Sequence, residues 1–355
     1  MTTDKITKSL DIAIIGTGAI GGYYGSRLHH AGHSVHFLVH SEKEYEHIEK
    51  NGLKVDSFLG DFSVEHPLIY KNVTEMPKAD LIIIAVKATA NDTIFPMIAP
   101  LVKDDADTTD SEKTDIILMQ NGFGFEKRLA LLYPNSRIFG GLCFICSFKD
   151  SLGHIRHTDY GAITLAQYLV GQDVPHDDLI VVDRSSKDDL DDALDGLHDF
   201  KDDEALEALA DILRGADIEV SVNHNLVEAR IKKLIWNIPY NGLSVICDCN
   251  TDVMTQDPSL RLLVRATMEE IREAAYASGI VISEEFLDEM VQLTVDMEPY
   301  SPSMRLDYLA GRMMEIEALY TGIIHYASNY GYNMKIVKTL RCQLQYLERA
   351  RLATR

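Results

Sequence analysis

One lysine and two asparagines follow each other at intervals of four residues: Lys233, Asn237 and Asn241. Positions i, i+4 and i+8 share one face of a helix, because a helix turns once in 3.6 residues. An ammonium group there can stabilise charge that develops on a carbonyl oxygen and can donate a proton to it. Amides can hydrogen-bond hydroxyl and carboxylate oxygens. A single lysine is most often a solvated surface residue, and the two amides on the same face favour a binding site instead.

A second chemical pattern is the G-x-G-x-x-G hexapeptide formed by Gly16, Thr17, Gly18, Ala19, Ile20 and Gly21. A predicted strand, Leu10–Ile15, precedes it, and a predicted helix, about Ala19 to Ala31, follows it. In this context the first glycine permits a tight turn, the second lets a pyrophosphate approach, and the third allows close packing of helix and strand. The helix N-terminus favours phosphate. The pattern predicts a dinucleotide-binding loop, and the alternative is a glycine-rich turn without a ligand.

The residues after the second predicted strand, Ser34–Val39, bear on the choice of dinucleotide. Enzymes selective for NAD usually carry an acid there, which binds the ribose 2′-hydroxyl and would repel a 2′-phosphate. This chain has His40 and Ser41 instead, with Lys43 nearby, and none of them is a bidentate arginine. The sequence therefore predicts NADP(H) as the cofactor, with His40 beside the additional phosphate.

The elements that must position these residues change in type along the chain. Up to residue 222, further strands alternate with helices and one hairpin (GLKVDSFLGDFSVE); these strands are Leu81–Lys87, Asp115–Gln120, Ile138–Phe148 and Ala162–Leu169. Ser41 and Glu44 fit a capping box that opens a helix. Beyond residue 222 the predicted elements are long helices: Leu226–Ile246, Asp257–Ser278, Ser283–Met297 and Met304–Ser328.

The sequence therefore predicts an α/β protein with a Rossmann-type doubly wound sheet, followed by an all-helical C-terminal domain. We expect a dinucleotide-binding domain over residues 1–222 and a helical substrate and catalytic domain over 223–355. Apolar and aromatic residues of the second domain fit either a homodimer interface or a core.

Charge and composition disfavour several classes of binding partner. The net charge of −21 disfavours nucleic acid and anionic membranes as partners. No apolar run approaches the roughly 18 residues of a membrane helix, and the polar N-terminus has no secretion signal, so we expect a cytoplasmic protein. Residues 171–204 contain 13 acidic and three basic residues, which indicates a solvated insertion.

Neither the cysteines nor the histidines indicate a metal site. Five cysteines without a signal argue against a disulfide framework, and Cys143 and Cys146 are expected to pack within an apolar strand. The histidines between residues 29 and 40 are spread over a helix, a loop and a strand. We expect no metal.

Six segments together resemble the ketopantoate reductase (2-dehydropantoate 2-reductase) family over nearly the whole chain, apart from the acidic insertion. In chain order they are GTGAIGG, IAVKA with Lys87, MQNGFG at 119–124, KKLIWNIPYN at 232–241, SPSM at 301–304 and MEIEAL at 314–319. The resemblance implies reduction of the 2-keto acid 2-dehydropantoate to (R)-pantoate by NADPH, a step towards coenzyme A.

The resemblance also implies roles for individual residues. Lys233 would be the catalytic proton donor, and Glu315, expected on a helix, would orient it or bind the ribose. Asn237, Asn241 and Ser303 would bind the substrate, although Ser303 can also cap the helix predicted from Met304. Lys87 and Asn121 would lie beside the cofactor, although an asparagine before glycine is also a common turn residue.

Three positions depart from the family pattern: His40 stands where arginine is frequent, and Gly242 and Thr251 differ near the substrate asparagines. They leave open a reductase of another branched 2-keto acid or an imine. A third hypothesis is a non-catalytic NADP(H)-binding sensor.

Overall fold

The computed structural model describes residues 9–103, 113–169 and 203–353. Nearly all of the predicted acidic insertion, 171–204, lies outside these ranges. The described residues divide into two compact units. The first contains residues 9–103, 113–120, 125–169 and 203–226, and the second contains residues 121–124 and 227–353. The domain boundary at residues 222 and 223 stays a prediction.

The first unit is built on a mixed sheet. Its described strands are β1 (Asp11–Ile15), β2 (Ser34–Leu38), β3 (Leu53–Ser57), β4 (Phe62–Val64), β5 (Leu68–Tyr70), β6 (Leu81–Ile84), β7 (Asp115–Leu118), β8 (Arg137–Ser151), β9 (His154–Gln167) and β10 (Val220–Val222). Its described helices are α1 (Ala19–His30), α2 (Glu42–Asn51), α3 (Asn91–Met97), α4 (Glu126–Leu132) and α5 (Asp203–Gly215).

The strand order is β4-β3-β9-β8-β7-β6-β1-β2-β5, with β10 beside β9. From β5 to β8 all neighbours are parallel, whereas β8 with β9 and β3 with β4 are antiparallel. Strand β1 lies between β2 and β6, so the chain leaves it towards one side of the sheet and returns on the other. Ligands of open α/β sheets bind at the carboxyl ends of the strands at such a switch point.

Helices cover both faces of this sheet. Alternate residues of β1 point to opposite faces. Ile14 belongs to a buried cluster that contains Tyr24 of α1, whereas Ile15 belongs to a second cluster that contains Phe95 of α3 and Leu129 of α4. The predicted Rossmann-type, doubly wound sheet is therefore confirmed.

Strands β8 and β9 form a hairpin longer than the sequence suggested. The predicted strand Ala162–Leu169 starts eight residues too late, since β9 begins at His154. The polar run HIRHTDY concealed its first half, which pairs with β3. In β8, Cys143 and Cys146 are both buried, and burial, aided by the charge of Asp159, raises the pKa of the Cys146 thiol to about 12. Both cysteines therefore pack, as expected.

The second unit is helical, as predicted. Its described helices are α6 (Leu226–Ile246), α7 (Thr251–Gln256), α8 (Pro258–Ala277), α9 (Glu284–Asp296), α10 (Ser303–Leu309), α11 (Gly322–Asn329) and α12 (Lys335–Ala353). None of the described residues from 227 onward lies in a strand. In the part of the chain that the structure describes, no helix is long and apolar enough to span a membrane.

The predicted single helix Met304–Ser328 is wrong. Helix α10 ends at Leu309, where Gly311 adopts a positive φ of 69° and its N–H donates to the carbonyl of Tyr308. A π-helical turn, Glu317–Thr321, then leads into α11. The apolar spacing continues through the break, so the hydrophobic pattern alone did not reveal it. Helix α12 was not predicted.

Candidate active site

The glycine loop joins β1 to α1, and two of its glycines are required by the protein itself. Gly16 has a φ of +105°, and a Cβ there would lie 2.6 Å from Val86 Cγ1. A Cβ at Gly21 would lie 2.0 Å from the carbonyl oxygen of Gly16. These contacts fit the tight turn and the close helix–strand packing expected of the first and third glycines.

Gly18 is different, because nothing in the described protein requires it to be a glycine. A Cβ there would meet no atom within 4 Å, and its backbone is extended, with φ −73° and ψ −169°. Gly18 is also the N-cap of α1, whose first-turn amides receive no side-chain cap. Open space beside uncapped amides fits the approach of an anionic group such as a pyrophosphate.

A buried acid lies behind this loop. The hydroxyl of Thr17 donates to Glu44 Oε1 at 3.2 Å, and Lys149 Nζ, from β8, donates to the same oxygen. The capping box predicted for Ser41 and Glu44 is therefore wrong: Ser41 precedes α2 but makes no side-chain cap hydrogen bond. Glu44 is turned towards Thr17 and Lys149 instead.

Other predicted cofactor residues lie at neighbouring strand ends of the same unit. His40 is exposed after β2, and Lys87 is exposed after β6, next to Val86, which adjoins Gly16. Gln120 ties the ends of β6 and β7 together, because its side-chain amide donates to the carbonyl of Val86 at 2.8 Å and to Asn91 Oδ1 at 2.7 Å.

Helix α6 carries three of the predicted site residues of the second unit. Lys233 is half-buried, whereas Asn237 and Asn241 are buried. Asn237 Nδ2 donates to Asn121 Oδ1 at 3.4 Å. Asn121 was predicted as a cofactor residue, and the structure groups it with this helix. The neighbouring Lys232 is occupied elsewhere, since its Nζ lies 2.5 Å from Glu228 Oε1.

Asn241 links α6 to the start of α10. Its Oδ1 accepts from the Ser303 hydroxyl at 3.3 Å and from the Met304 N–H at 3.1 Å, and its Nδ2 donates to the carbonyl of Asn237 at 2.9 Å. Pro302 is the N-cap of α10 and no side chain of the cap residue bonds to the helix, so the suggestion that Ser303 caps it is wrong. Asn241 supplies that bond from outside.

Glu315 lies outside the helices, contrary to expectation. It is half-buried two residues before the π-helical turn begins, and its carbonyl accepts from the N–H of Leu319 at 3.1 Å. Within the turn, Tyr320 is fully buried, which raises its pKa, and its hydroxyl donates to the carbonyl of Ile238 at 2.8 Å. The turn is thereby attached to α6.

The two unusual positions near the asparagines both serve packing. A Cβ at Gly242 would lie 2.3 Å from the Tyr320 hydroxyl, so glycine is required there by the Tyr320 contact. The Thr251 hydroxyl donates to the carbonyl of Tyr300 at 3.2 Å and accepts from its N–H at 3.0 Å. Thr251 thus anchors the segment that leads to Ser303.

Sequence reasoning missed Glu44 and Lys149 beside the glycine loop, and Gln120 beside Val86. The only sequence signal for Glu44 was its spacing from Ser41, which indicated a different contact. Among the described residues, no group of three or more His, Cys, Asp or Glu side chains is placed to hold a metal ion.

Comparison with known proteins places both parts of the chain in one family. The family described as "Ketopantoate reductase PanE/ApbA" matches residues 12–169, and "Ketopantoate reductase PanE/ApbA C terminal" matches residues 225–348. The chain belongs to the ketopantoate reductase family. The first match runs from β1 to the end of β9, and the second covers α6 to most of α12.

Individual relatives match this member of the ketopantoate reductase family over nearly its whole length. A 2-dehydropantoate 2-reductase of Nostoc sp. is 37% identical over 336 residues, which is 95% of this chain and 94% of the relative. The crystal structure of 2-dehydropantoate 2-reductase from Geobacter metallireducens is 32% identical, with a TM-score of 0.81, covering 95% of this chain and 99% of that one. A D-mandelate dehydrogenase, solved with NADH and anilino(oxo)acetate, shares the fold at 20% identity and a TM-score of 0.74, covering 96% and 99%.

Proposed function

We propose that this protein reduces 2-dehydropantoate to (R)-pantoate with NADPH, in the biosynthesis of pantothenate and coenzyme A. The observation that carries this proposal is the polar face of α6. Lys233 shares that helix with two buried amides, of which Asn237 bonds to Asn121 and Asn241 bonds to Ser303. The 37% identity to the 2-dehydropantoate 2-reductase of Nostoc sp. supports the choice of substrate.

The glycine loop supports the choice of a dinucleotide, since it offers open space at Gly18 and a helix N-terminus without a side-chain cap. We assign Gly16, Thr17, Gly18, Ala19, Ile20 and Gly21, with His40, Lys87 and Asn121, to cofactor binding. When bound, the nicotinamide supplies a hydride to the C2 carbon of the keto acid.

The residues of the second unit would bind the acid and supply the proton. As hydride adds to C2, negative charge develops on the carbonyl oxygen, and the Lys233 ammonium donates a proton to it, which gives the hydroxyl of the product. Glu315 would hold that ammonium in position. Asn237 and Ser303 would bind the carboxylate and hydroxyl oxygens, and the second N–H of the Asn241 amide would contribute a further donor.

The test is NADPH oxidation by the purified chain with 2-dehydropantoate. Lys233→Ala is expected to lower kcat by about 100-fold or more, as for removal of a general acid. Lys232→Ala is the matched control, because that neighbouring lysine pairs with Glu228 and should leave kcat nearly unchanged. A Lys233→Ala variant with wild-type kcat would contradict the proposed mechanism.

The same assay separates the alternatives. A panel of branched 2-keto acids and an imine, measured as kcat/KM with NADPH and NADH, tests whether another substrate or cofactor is preferred. The packing roles of Gly242 and Thr251 supply no reason to expect a different acid. Tight NADPH binding without oxidation by any member of the panel would instead identify a sensor.

A further inference from the structure

An ion pair between a buried carboxylate and a partly exposed ammonium group lies beside the glycine loop, and the reaction proposed above does not use it. The Glu44 side chain is 9% exposed and that of Lys149 is 29% exposed, and their contact joins residues 105 positions apart. The third member, Thr17, is itself a residue of the loop and is 6% exposed. A carboxylate is thus fixed directly against the loop proposed to hold the dinucleotide.

The acid that distinguishes the two cofactors normally lies at the end of the second strand. A carboxylate favours the ribose diol of NAD and repels the 2′-phosphate of NADP. The sequence placed no acid at the end of β2, but the fold brings Glu44 to the loop from the first turn of α2. An unpaired Glu44 would repel every phosphate of a bound dinucleotide, and it would disfavour NADP(H) more than NAD(H) because NADP(H) carries one more phosphate.

Lys149 offsets that charge. A buried carboxylate with an ammonium group on the same oxygen carries little net field, and the pair is screened less by salt than an exposed one. The other acid of the same turn, Glu42, is also paired, since Lys71 Nζ lies 2.5 Å from its Oε1, but there both side chains are well exposed. Both acids at the start of α2 are therefore balanced by lysines from other segments.

We propose that Lys149 is a specificity-determining residue: by neutralising Glu44 behind Thr17, it allows the loop to accept a 2′-phosphorylated dinucleotide. This inference rests on the proposed dinucleotide function. Lys149 acts through Glu44 on the local charge and need not touch the cofactor. Removal of Lys149 should turn the preference towards the unphosphorylated ribose.

The experiment compares two adenosine fragments that differ in the discriminating group, adenosine 2′,5′-bisphosphate and AMP, by isothermal titration calorimetry. In Lys149→Met, the Kd of the bisphosphate should rise about tenfold, which corresponds to about 1.4 kcal/mol. The Kd of AMP should rise by a smaller factor, because AMP lacks the 2′-phosphate, and measurable AMP binding also reports that the variant is folded. The Kd values of NADPH and NADH should follow the same ratio.

Three further variants keep the inference falsifiable. Lys149→Arg retains the positive charge and should retain wild-type selectivity. Glu44→Gln with Lys149→Met removes both charges, so no unpaired buried charge remains, and it should restore binding of the bisphosphate. Lys71→Met, at the exposed pair with Glu42, is the matched control and should leave the ratio of the two Kd values within twofold of wild type.

Each outcome bears on one proposal or both. Equal weakening of both fragments in Lys149→Met and in the double variant would mean that the pair only supports the fold, and the inference would be overturned. An unchanged ratio in Lys149→Met would overturn it as well, while leaving the reductase proposal intact. If the wild-type chain bound neither fragment nor either dinucleotide, the cofactor proposal itself would fail.

Discussion

Asn241 Oδ1 lies 3.3 Å from the Ser303 hydroxyl and 3.1 Å from the backbone nitrogen of Met304. One side-chain oxygen on α6 therefore accepts hydrogen bonds both from the first turn of α10 and from the hydroxyl of the serine at its start. Two residues 62 positions apart in the chain are in this way joined by a hydrogen bond. The arrangement makes Asn241 a positioning residue for Ser303 as well as a proposed contact of the substrate.

Asn241→Ala and Ser303→Ala should therefore be coupled. Loss of the Asn241 acceptor leaves the Met304 N–H without its bond and frees Ser303, so we expect a decrease of about 1–3 kcal/mol in the free energy of unfolding. In kcat/KM for 2-dehydropantoate, the double variant should lose little more than Asn241→Ala alone. Steady-state kinetics and urea denaturation of the two single variants and the double variant measure both effects.

Asn237→Ala is the control for that cycle, because its side chain bonds to Asn121 and not to Ser303. Its effect on kcat/KM should add more nearly to that of Ser303→Ala than the effect of Asn241→Ala does, because Asn237 and Ser303 share only the substrate and no direct bond. Full additivity of Asn241→Ala with Ser303→Ala would show instead that the two side chains act separately.

Gly242→Ala should destabilise the second unit by overpacking. The new methyl group would lie 2.3 Å from the Tyr320 hydroxyl, whose bond to the carbonyl of Ile238 holds it in place. Overpacking in a close-packed core costs about 1–3 kcal/mol, which chemical denaturation can measure. Tyr320→Phe removes the obstructing oxygen, so adding it to Gly242→Ala should recover part of the loss. This explanation would be contradicted if the double variant lost more free energy of unfolding than the two single variants lose together.

The local pattern of the sequence predicted those parts of the fold that depend on local periodicity. Strand β1, helix α1 and helix α6 lie within a residue or so of their predicted bounds, because each buries a regular apolar pattern. The break between α10 and α11 was missed, because the apolar spacing runs on while Gly311 ends the helix. The first half of β9 was missed as well, because its residues are polar and it needs β3 as a partner.

The candidate site likewise contains features that the sequence could predict and features that it could not. The spacing of Lys233, Asn237 and Asn241 could be read from the sequence, because one helix sets it. The contacts of Glu44 with Lys149 and of Asn241 with Ser303 could not, since each depends on tertiary structure over a long stretch of chain. Glu44 even satisfied the spacing of a capping box that the fold does not use. Tertiary contacts that compete with a local motif cannot be seen in the motif itself.

Gly18→Ala should separate ligand binding from folding. The extended backbone at Gly18 suits alanine and no described atom lies within 4 Å of the new methyl group, so stability should fall by at most about 1 kcal/mol, the usual cost of a poorer helix N-cap. Dinucleotide affinity should fall at least about tenfold, because the methyl group occupies the space that a pyrophosphate needs. Calorimetric titration with NADPH and thermal unfolding measure the two effects.

Gly215→Ala is the matched control for Gly18→Ala. This glycine at the end of α5 also has open space around its Cα, but it lies outside the glycine loop. It should keep the wild-type affinity for NADPH. Unchanged affinity in Gly18→Ala would mean that the loop does not approach a pyrophosphate. A large loss of stability would mean that the folded protein has no room for a methyl group at Gly18.

His157 makes the stability of the first unit depend on pH. Its Nε2 lies 2.8 Å from the carbonyl oxygen of Tyr160, which can only accept, so Nε2 carries the hydrogen and Nδ1 accepts from the Ser57 hydroxyl at 2.9 Å. Burial lowers the pKa of His157 below its ordinary value of 6.5. The folded chain therefore resists a proton that the unfolded chain takes up, and stability falls as the pH decreases through about 6.5.

His157→Gln removes this titration while retaining a side-chain donor and acceptor. The free energy of unfolding, from urea denaturation between about pH 7.5 and pH 5, should decline less steeply in this variant than in the wild-type chain. His66→Gln, at an exposed histidine, should leave the slope nearly as it is, because that side chain is in water in both states. Burial also lowers the pKa of His29 and of His33, so part of the slope should remain in His157→Gln. An identical slope in wild type and His157→Gln would mean that protonation of His157 does not oppose folding.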